Sequence, residues 1–225
     1  MKIAVLTGAG VSAESGIKTF RDSDGLWDGH DVMEVASPQG FDRDPELVLE
    51  FYNLRRRQLL TVEPNAAHIA LAELEKEHDV TIITQNVDDL HERAGSSKVI
   101  HLHGELLKVR SVGDEDYIIE WKDDLNWGNL CPNGYQLRPH IVWFGEMVPN
   151  LGPAAEIVSE ADAVFIIGTS MQVYPAAGLI QYAKPNAHIY FIDPKPSISE
   201  TDQISVFAEK ATTGVPKAIK ALKQN

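Results

Sequence analysis

The first sixteen residues constrain the fold more than any other part of the chain. A short apolar and β-branched run over residues 2–7 ends in Gly8-x-Gly10-x-x-Ala13. This order of strand, glycine turn and helix opens dinucleotide-binding units, in which glycines permit a sharp turn and a close approach of backbone N–H groups to a pyrophosphate. The helix that follows would direct its positive end to the same place. Two glycines at this spacing also occur in ordinary strand-to-helix turns, so the pattern alone leaves nucleotide binding open.

The segment after the turn departs from an ordinary dinucleotide fold, which would place a second strand with an acidic end about twenty residues further on. This chain has instead a polar loop that contains Phe20 and Arg21. The motif from Gly8 to Arg21 resembles the signature of the sirtuins, which are NAD-consuming protein-lysine deacylases. The resemblance implies NAD contacts from this set of residues: Gly8, Ala9, Gly10, Ser12, Ala13, Glu14, Thr19, Phe20 and Arg21.

Charge and cysteine content limit the partners and the compartment. The chain has 225 residues, with 33 acidic and 20 basic side chains and a net charge of −13. This charge would repel nucleic acid and attract basic protein tails. The single cysteine, Cys131, excludes an intramolecular disulfide, and no apolar run approaches the roughly 18 to 20 residues that span a bilayer. The first strand begins by residue 3 without a leader. We therefore expect a cytoplasmic monomer that binds neither membranes nor nucleic acid.

A helix is predicted from Pro45 to about residue 60, because Asp44 supplies a cap and proline suits the first helical position. At about 100° per residue, one broad face carries Arg55 among apolar side chains, while the next two arginines point elsewhere. The apolar members of that face are Leu47, Val48, Phe51, Leu54 and Leu59. Arg55 could extend its charged head to water, or it could receive a carboxylate.

Phe51-Tyr52-x-x-Arg55 resembles the motif of those sirtuins that remove succinyl and malonyl groups. The resemblance implies that Tyr52 and Arg55 hold the acyl carboxylate and that Ala36 leaves room for the acyl group. Acetyl-lysine would also be accepted.

A second helix is predicted from Asn65 to about residue 78, with His68 as a packing residue, followed by a buried strand over residues 79–84. Gln85, Asn86 and Asp88 follow this strand, where ligands bind in open α/β sheets. A polar helix cap would explain one aspartate but not the whole run. The resemblance implies that these residues contact the nicotinamide ribose and the nicotinamide amide.

Residues 99–104 are predicted to form another strand, with His101 and His103 on one face. Two histidines could bind a metal, but no third ligand follows at a suitable spacing. The resemblance assigns His103 as the general base, and a neutral imidazole suits that task near pH 7. His101 is expected to be structural.

Residues 105–137 depart from the family pattern, because most sirtuins carry two Cys-x-x-Cys pairs here that bind zinc. Cys131 alone cannot supply four ligands, so we predict a lobe without zinc or another metal. The apolar residues around Gly113-Asp114 predict an antiparallel hairpin in its place.

Three later segments complete the candidate site. The stretch over residues 139–149 resembles the family segment that pairs with the substrate backbone, and the second wall of that cleft would follow at residues 173–175. The implied peptide or acyl contacts are Val142, Phe144, Gly145, Glu146, Val173 and Tyr174. The implied further NAD contacts are Gly168, Thr169 and Ser170 after a second strand, Asp193 where sirtuins usually have asparagine, and Ala211 before a last helix at about 215–223.

These motifs predict an α/β fold with a doubly wound, mainly parallel (Rossmann-like) sheet and a second, smaller inserted lobe. Residues 1–24, 65–104 and 138–225 would form the NAD-binding domain. The lobe would combine a helical module, residues 25–64, with a zinc-free hairpin module, residues 105–137.

The resemblance implies a protein-lysine deacetylase and desuccinylase or demalonylase that consumes NAD as cosubstrate. It would transfer the acyl group to ADP-ribose and release nicotinamide, with His103, Asn86 and Asp88 as its catalytic residues. Two alternatives stay open: a mono-ADP-ribosyltransferase with the same NAD site, and an NAD-sensing binding protein without catalysis. Neither alternative needs His103.

Overall fold

The computed structural model describes residues 1–18, 26–27 and 29–224. The strands are β1 Lys2–Thr7, β2 Leu26–Trp27, β3 His30–Asp31, β4 Asp79–Thr84, β5 Val99–His101, β6 Gly104–Ser111, β7 Ile118–Glu120, β8 Leu137–Ile141, β9 Ala163–Ile167, β10 His188–Ile192 and β11 Ile204–Phe207. The α-helices are α1 Val32–Val35, α2 Pro38–Arg43, α3 Pro45–Leu59, α4 Ala66–Leu74, α5 Leu90–Ala94, α6 Leu151–Glu160 and α7 Ala211–Leu222.

A six-stranded sheet in the order β11-β10-β9-β1-β4-β5 forms the centre of the protein, and each neighbouring pair is parallel. The chain order reverses between β1 and β9, which makes their carboxyl ends the switch point where such sheets bind ligands. The predicted doubly wound, mainly parallel α/β fold is confirmed.

Helices cover both faces of this sheet because consecutive residues of the central strands are apolar and point alternately to the two faces. Ile3 and Val5 of β1 pack with α4 and α7 on one face. Ala4 and Leu6 pack with α6 and a 3-10 helix, Ala176–Tyr182, on the other. Burial on both faces is typical of parallel sheets and explains the nearly continuous apolar runs of β1 and β9.

The smaller lobe contains an antiparallel sheet in the order β7-β6-β8, together with α3. The predicted hairpin is confirmed, since β6 pairs antiparallel with β7 across the turn at residues 112–117. β8, whose first residue precedes the predicted domain boundary at 138, pairs with β6 and not with the parallel sheet. The predicted residue bounds of the two domains stay a prediction.

Two facing turns close the end of this lobe. Ser111 Oγ accepts hydrogen bonds from the N–H groups of Gly113 (3.2 Å) and Asp114 (3.1 Å), and it lies 3.5 Å from Cys131 Sγ. Asn133 Nδ2 donates to Asp114 Oδ2 across the same gap at 2.8 Å. These contacts join the two turns through hydrogen bonds.

Helix α3 begins where the sequence predicts, with Asp44 Oδ1 accepting from the Leu47 N–H at 3.0 Å. The prediction that Arg56 points away from the apolar face was wrong, whereas Arg57 is exposed as expected. Arg56 is 1% exposed, with Nε donating to the Leu106 carbonyl and Nη1 to Asn53 Oδ1, whereas Leu54 is 51% exposed. The small lobe covers the Arg56 side of α3, and the apolar pattern of the helix alone could not reveal that cover.

Four element predictions also need correction. Two 3-10 turns, Ala9–Val11 and Ala13–Ser15, follow β1 in place of the expected helix. β5 ends at His101, so His103 lies beyond the strand. α4 ends at Leu74, before residue 78, and α7 begins at Ala211, before residue 215.

In the part of the chain that the structure describes, no helix combines the length and the apolar character that crossing a membrane requires.

Candidate active site

Glycines at the switch point allow the loops after β1 and β9 to touch. Gly8 N–H donates to the Ile167 carbonyl at 3.0 Å, and Gly10 N–H donates to the Gly168 carbonyl at 2.9 Å. A Cβ on Gly10 would lie 2.6 Å from Gly168 Cα, and Gly168 itself has a φ of +61°. The Gly10 N–H is therefore bonded within the protein, and the approach of other N–H groups of this loop to a pyrophosphate stays a prediction. Gly10 is needed for the contact between the two loops.

Ser12 joins the first loop to the cluster after β4. Its hydroxyl is fully buried and donates to Asp88 Oδ2 at 3.0 Å, while Asn86 Nδ2 donates to it at 3.1 Å. Ser12 from the first motif therefore contacts both Asn86 and Asp88 from the motif after β4. This network fixes the orientation of the amide and of the carboxyl group.

His68, expected as a packing residue, is fully buried and also extends this network. The Asn65 N–H donates to His68 Nδ1 at 3.3 Å, so the proton of the neutral ring lies on Nε2, 3.4 Å from Ser12 Oγ. Burial lowers the pKa of His68 to about 4, which keeps the ring neutral near pH 7. The signal in the sequence was Asn65-x-x-His68, whose side chains form a capping box at the start of α4.

Asp88 is the buried acid of the cluster. Burial raises the pKa of its carboxyl group to about 6, against the opposing effect of hydrogen bonds from Ser12 and the Leu90 N–H. Asp88 also lines a cavity of about 70 Å³, together with Ile17, Lys18, Arg55, Gln58, Leu59, Val87 and Leu106. A carboxyl group with a raised pKa beside a small cavity is typical of functional sites.

His103 lies at the same edge of the sheet. Its Nδ1 is 3.0 Å from the Gln85 carbonyl, and Gln85 Nε2 donates to Thr169 Oγ1 at 3.2 Å, which connects His103 to the β9 loop. Burial lowers the pKa of His103, and the contact with the Gln85 carbonyl only partly offsets this. A neutral ring whose Nδ1–H is held by a carbonyl presents Nε2 as a proton acceptor.

His101 has different surroundings. Its Nε2 lies 2.7 Å from Glu92 Oε1 and its Nδ1 lies 3.1 Å from the Asn86 carbonyl. Burial lowers the pKa of His101, but the hydrogen bond and the charge of Glu92 outweigh this and raise the pKa overall. Both nitrogens are engaged, which fits the structural role expected for this residue.

We call the carboxyl edge of the sheet around Gly8, Asn86 and Gly168 the crevice. The remaining predicted NAD residues border it from β9, β10 and α7. Thr169 is buried and Ser170 partly buried after β9, while Asp193 follows β10 and accepts from the Lys195 N–H at 2.8 Å. Glu14 Oε2 accepts from Thr212 N–H and Oγ1 at 3.1 and 2.7 Å, directly after Ala211. Glu14 thus caps α7 from the first loop.

The structure describes some of the other predicted NAD residues of the first loop and leaves others out. Ala9 is partly buried and Ala13 exposed in the first loop. Thr19, Phe20 and Arg21 lie outside the described residues. Within the described residues, no group of three or more His, Cys, Asp or Glu side chains could hold a metal; the absence of zinc stays a prediction.

The predicted acyl-carboxylate pair occupies α3. Tyr52 is fully buried and its Oη accepts from Trp143 Nε1 at 3.0 Å. Arg55 lines the small cavity with Asp88, donates from Nη1 to the Phe51 carbonyl at 2.8 Å and stacks over the Phe51 ring. Ala36 is buried, and its carbonyl accepts from the Phe144 N–H at 2.9 Å.

The loop after β8 carries the other predicted substrate residues. Val142 N–H donates to the His103 carbonyl at 2.9 Å, and the Phe144 and Gly145 side of the loop is exposed. Glu146 is held inside the loop by Arg138, Arg110 and the Trp143 N–H. Its carboxylate is therefore engaged within the protein. Val173 is partly buried, and Tyr174 is 70% exposed on the loop after β9.

The family model described as Sir2 family matches residues 8–175, which include both glycine loops and the cluster after β4. The chain belongs to the Sir2 family. A Helicobacter pylori relative named NAD-dependent protein deacylase is 63% identical over 193 residues, which cover 86% of this chain and 84% of the relative. The resemblance to sirtuins seen in the sequence is confirmed.

Two solved Sir2 structures share this fold. The crystal structure of a Sir2 homolog–NAD complex is 42% identical, with a TM-score of 0.86, and the match covers 99% of this chain and 89% of that chain. A structure described as Sir2 bound to acetylated peptide is 28% identical, with a TM-score of 0.80 and coverage of 99% and 94%.

Proposed function

We propose that this protein is an NAD-dependent protein-lysine deacylase that transfers the acyl group to ADP-ribose and releases nicotinamide. One observation carries the proposal: Ser12, Asn86 and Asp88 form one hydrogen-bonded cluster at the sheet's switch point, beside His103. The deacylase name of a 63% identical relative supports the same activity.

The chemistry of the crevice fits a pyridine nucleotide. Gln85 and Asn86 offer amides, Thr169 offers a hydroxyl, and the buried Asp88 offers a carboxyl group that can accept from a carboxamide N–H. Asp193 can accept from ribose hydroxyls at the β10 end. NAD supplies an electrophilic ribose carbon and a nicotinamide leaving group.

The protein's own residues would act at three points. His103 Nε2 would take a proton from a ribose hydroxyl, because burial keeps the ring neutral at pH 7. Asp88 would hold the nicotinamide amide in the orientation that Ser12 fixes. Asn86, oriented by the same hydroxyl, would contact the nicotinamide ribose.

The acyl preference that we propose includes succinyl and malonyl groups as well as acetyl. Arg55 carries the charge that would pair with an acyl carboxylate, and it lines the cavity that also contains Asp88. Tyr52 lies one helical turn away, and the Arg55 charge acts on its hydroxyl. Ala36, whose carbonyl accepts from the Phe144 N–H in the loop after β8, would leave space for the acyl chain.

The proposed partners are proteins or peptides that carry acyl-lysine. Their backbone would add as a strand between the loop over residues 142–146 and the loop over residues 173–174. The net charge of −13 favours basic segments. The cytoplasmic location, the monomeric state and the exclusion of nucleic acid and membranes remain predictions.

The test incubates the protein with NAD and with acetylated or succinylated peptide, and mass spectrometry follows the products. Equal amounts of free lysine peptide, nicotinamide and acyl-ADP-ribose are expected. ADP-ribosylated protein without deacylation would indicate a mono-ADP-ribosyltransferase instead. Binding of NAD without turnover would indicate an NAD sensor.

Arg55→Met tests the acyl preference. We expect the ratio of kcat/KM for succinyl over acetyl peptide to fall about tenfold or more, because a charge-assisted pair is lost. Arg57→Met, on the exposed side of the same helix, is the matched control and should leave the ratio unchanged. Equal loss of both activities in Arg55→Met would contradict the carboxylate role.

A further inference from the structure

A buried hydrogen bond connects α3 to the loop after β8. Trp143 Nε1 donates to Tyr52 Oη at 3.0 Å, and the two residues are 2% and 0% exposed. An indole N–H can only donate, whereas a phenol carries one proton and can both accept and donate. The bond therefore occupies a lone pair of Tyr52 and leaves its proton for another acceptor. Among the residues that the structure describes, the indole is the one hydrogen-bond partner of Tyr52 Oη.

The indole is fixed by its surroundings. The Arg138 guanidinium lies 3.4 Å from the centroid of the Trp143 ring, and the Phe41 ring centroid lies at 5.2 Å. The Trp143 N–H donates to Glu146 Oε2 at 2.7 Å, and Arg138 Nη1 donates to Glu146 Oε1 at 2.7 Å. Because ring and backbone are both held, Trp143 is oriented before any ligand arrives.

Tyr52 remains a neutral donor in this environment. Burial raises the pKa of its hydroxyl well above the ordinary value, while the Trp143 hydrogen bond and the charge of Arg55 only partly oppose this. A protonated phenol near a fixed guanidinium offers one neutral and one charged donor. This combination suits a carboxylate, which accepts on both oxygens.

We propose that Trp143 is a positioning residue for acyl recognition: its N–H holds Tyr52 Oη so that the phenol proton is donated to an acyl carboxylate paired with Arg55. The inference rests on the proposed role of Tyr52 and Arg55 in acyl binding. The substrates that depend on it are lysines carrying a dicarboxylic acyl group. The loop that carries Trp143 also carries Val142 and Phe144, so the Trp143–Tyr52 hydrogen bond couples the peptide-binding loop to the acyl site, beside the bond from the Phe144 N–H to the Ala36 carbonyl.

Trp143→Phe tests this coupling because it removes the N–H and keeps an aromatic ring against Arg138. We expect the succinyl-over-acetyl ratio of kcat/KM to fall about five- to tenfold, mainly through KM, as for a weakened hydrogen bond to a charged group. Tyr52→Phe should lower the ratio at least as much. Adding Trp143→Phe to Tyr52→Phe should cause no further fall, because the donor is already absent.

Two further variants separate positioning from packing. Trp143→His retains a ring N–H and should recover part of the ratio lost in Trp143→Phe. Trp127→Phe makes the same chemical change at a tryptophan that is 57% exposed, and it should leave the ratio unchanged.

Equal loss of both activities in Trp143→Phe, or additive losses with Tyr52→Phe, would overturn the positioning role. An unchanged ratio in Trp143→Phe alone would overturn it too, while the carboxylate receptor would stand if Arg55→Met and Tyr52→Phe lower the ratio. If neither of those variants lowers the ratio, the proposed acyl function fails and the role of Trp143 fails with it. If Trp143→Phe does not fold, a crystal structure of the wild-type protein with succinylated peptide decides: Tyr52 Oη in contact with both Trp143 Nε1 and the acyl carboxylate supports the proposal, and Tyr52 Oη away from the carboxylate overturns it.

Discussion

The crevice at the sheet's switch point and the smaller lobe are built in different ways. In the crevice, backbone contacts between Gly8, Gly10 and Gly168 bring two loops together, and polar side chains follow directly after strand ends. In the lobe, side chains far apart in sequence make the decisive contacts, such as Asn53 with the backbone of Leu125. The crevice therefore depends on short local motifs, whereas the lobe depends on contacts with partners that no local motif shows.

The largest effect is expected at His103, the proposed general base of the crevice, and its loss should affect catalysis and not the fold of the lobe. His103→Ala should lower kcat for deacylation by about 10² to 10⁴, the range of a lost general base. NAD affinity should change little, because the backbone loops remain. His78→Ala, a histidine just before β4 at the opposite end of the sheet, is the control for rate and stability. A kcat within threefold of the wild type would contradict the role of His103.

Gly10→Ala tests whether the crevice depends on the backbone contact between the loops after β1 and β9. The new Cβ would lie 2.6 Å from Gly168 Cα, and overpacking of this kind costs about 1–3 kcal/mol. We expect this loss in the free energy of unfolding, measured with urea, together with weaker NAD binding. Gly152→Ala adds a Cβ with no atom within 4 Å at the start of α6 and should cause no loss.

Ser111→Ala tests whether hydrogen bonds hold together the two facing turns of the lobe. Two backbone N–H groups would lose their acceptor, at a cost of about 1–3 kcal/mol in the free energy of unfolding. NAD affinity should stay unchanged, since the lobe's turns do not contact the crevice residues named above. Ser159→Ala on α6, where the hydroxyl bonds only within its own exposed helix, should cost less than about 0.5 kcal/mol. One zinc per chain by elemental analysis would contradict the metal-free lobe.

The smallest effect concerns pH. Burial lowers the pKa of His103, so the neutral base is present until pH falls through this lowered value. The raised pKa of Asp88, about 6, also lies below the ordinary pKa of histidine, about 6.5. Each group is therefore more than half deprotonated at pH 6.5, and the midpoint of the acidic limb of kcat/KM should lie below pH 7. A midpoint above pH 7 would show that neither His103 nor Asp88 controls the fall in kcat/KM at acidic pH.

The sequence predicted the crevice better than the lobe, for physical reasons. Parallel strands end at one edge, so Ser12, Asn86 and Asp88 meet because each follows a strand that apolar runs identify. The predicted orientation of Arg56 was wrong because its Nε donates to the Leu106 carbonyl, 50 positions away. The bond between Tyr52 and Trp143, 91 positions apart, was likewise invisible, since neither residue's own segment indicates its partner.

The central claim is that one crevice above Gly8 and Gly168 brings the nucleotide to His103. A crystal structure of the wild-type protein with ADP-ribose measures this directly. We predict that a hydroxyl of the distal ribose lies about 3 Å from His103 Nε2, with the pyrophosphate over the first glycine loop. ADP-ribose bound elsewhere, or a His103 ring more than about 6 Å from every ribose oxygen, would contradict the account.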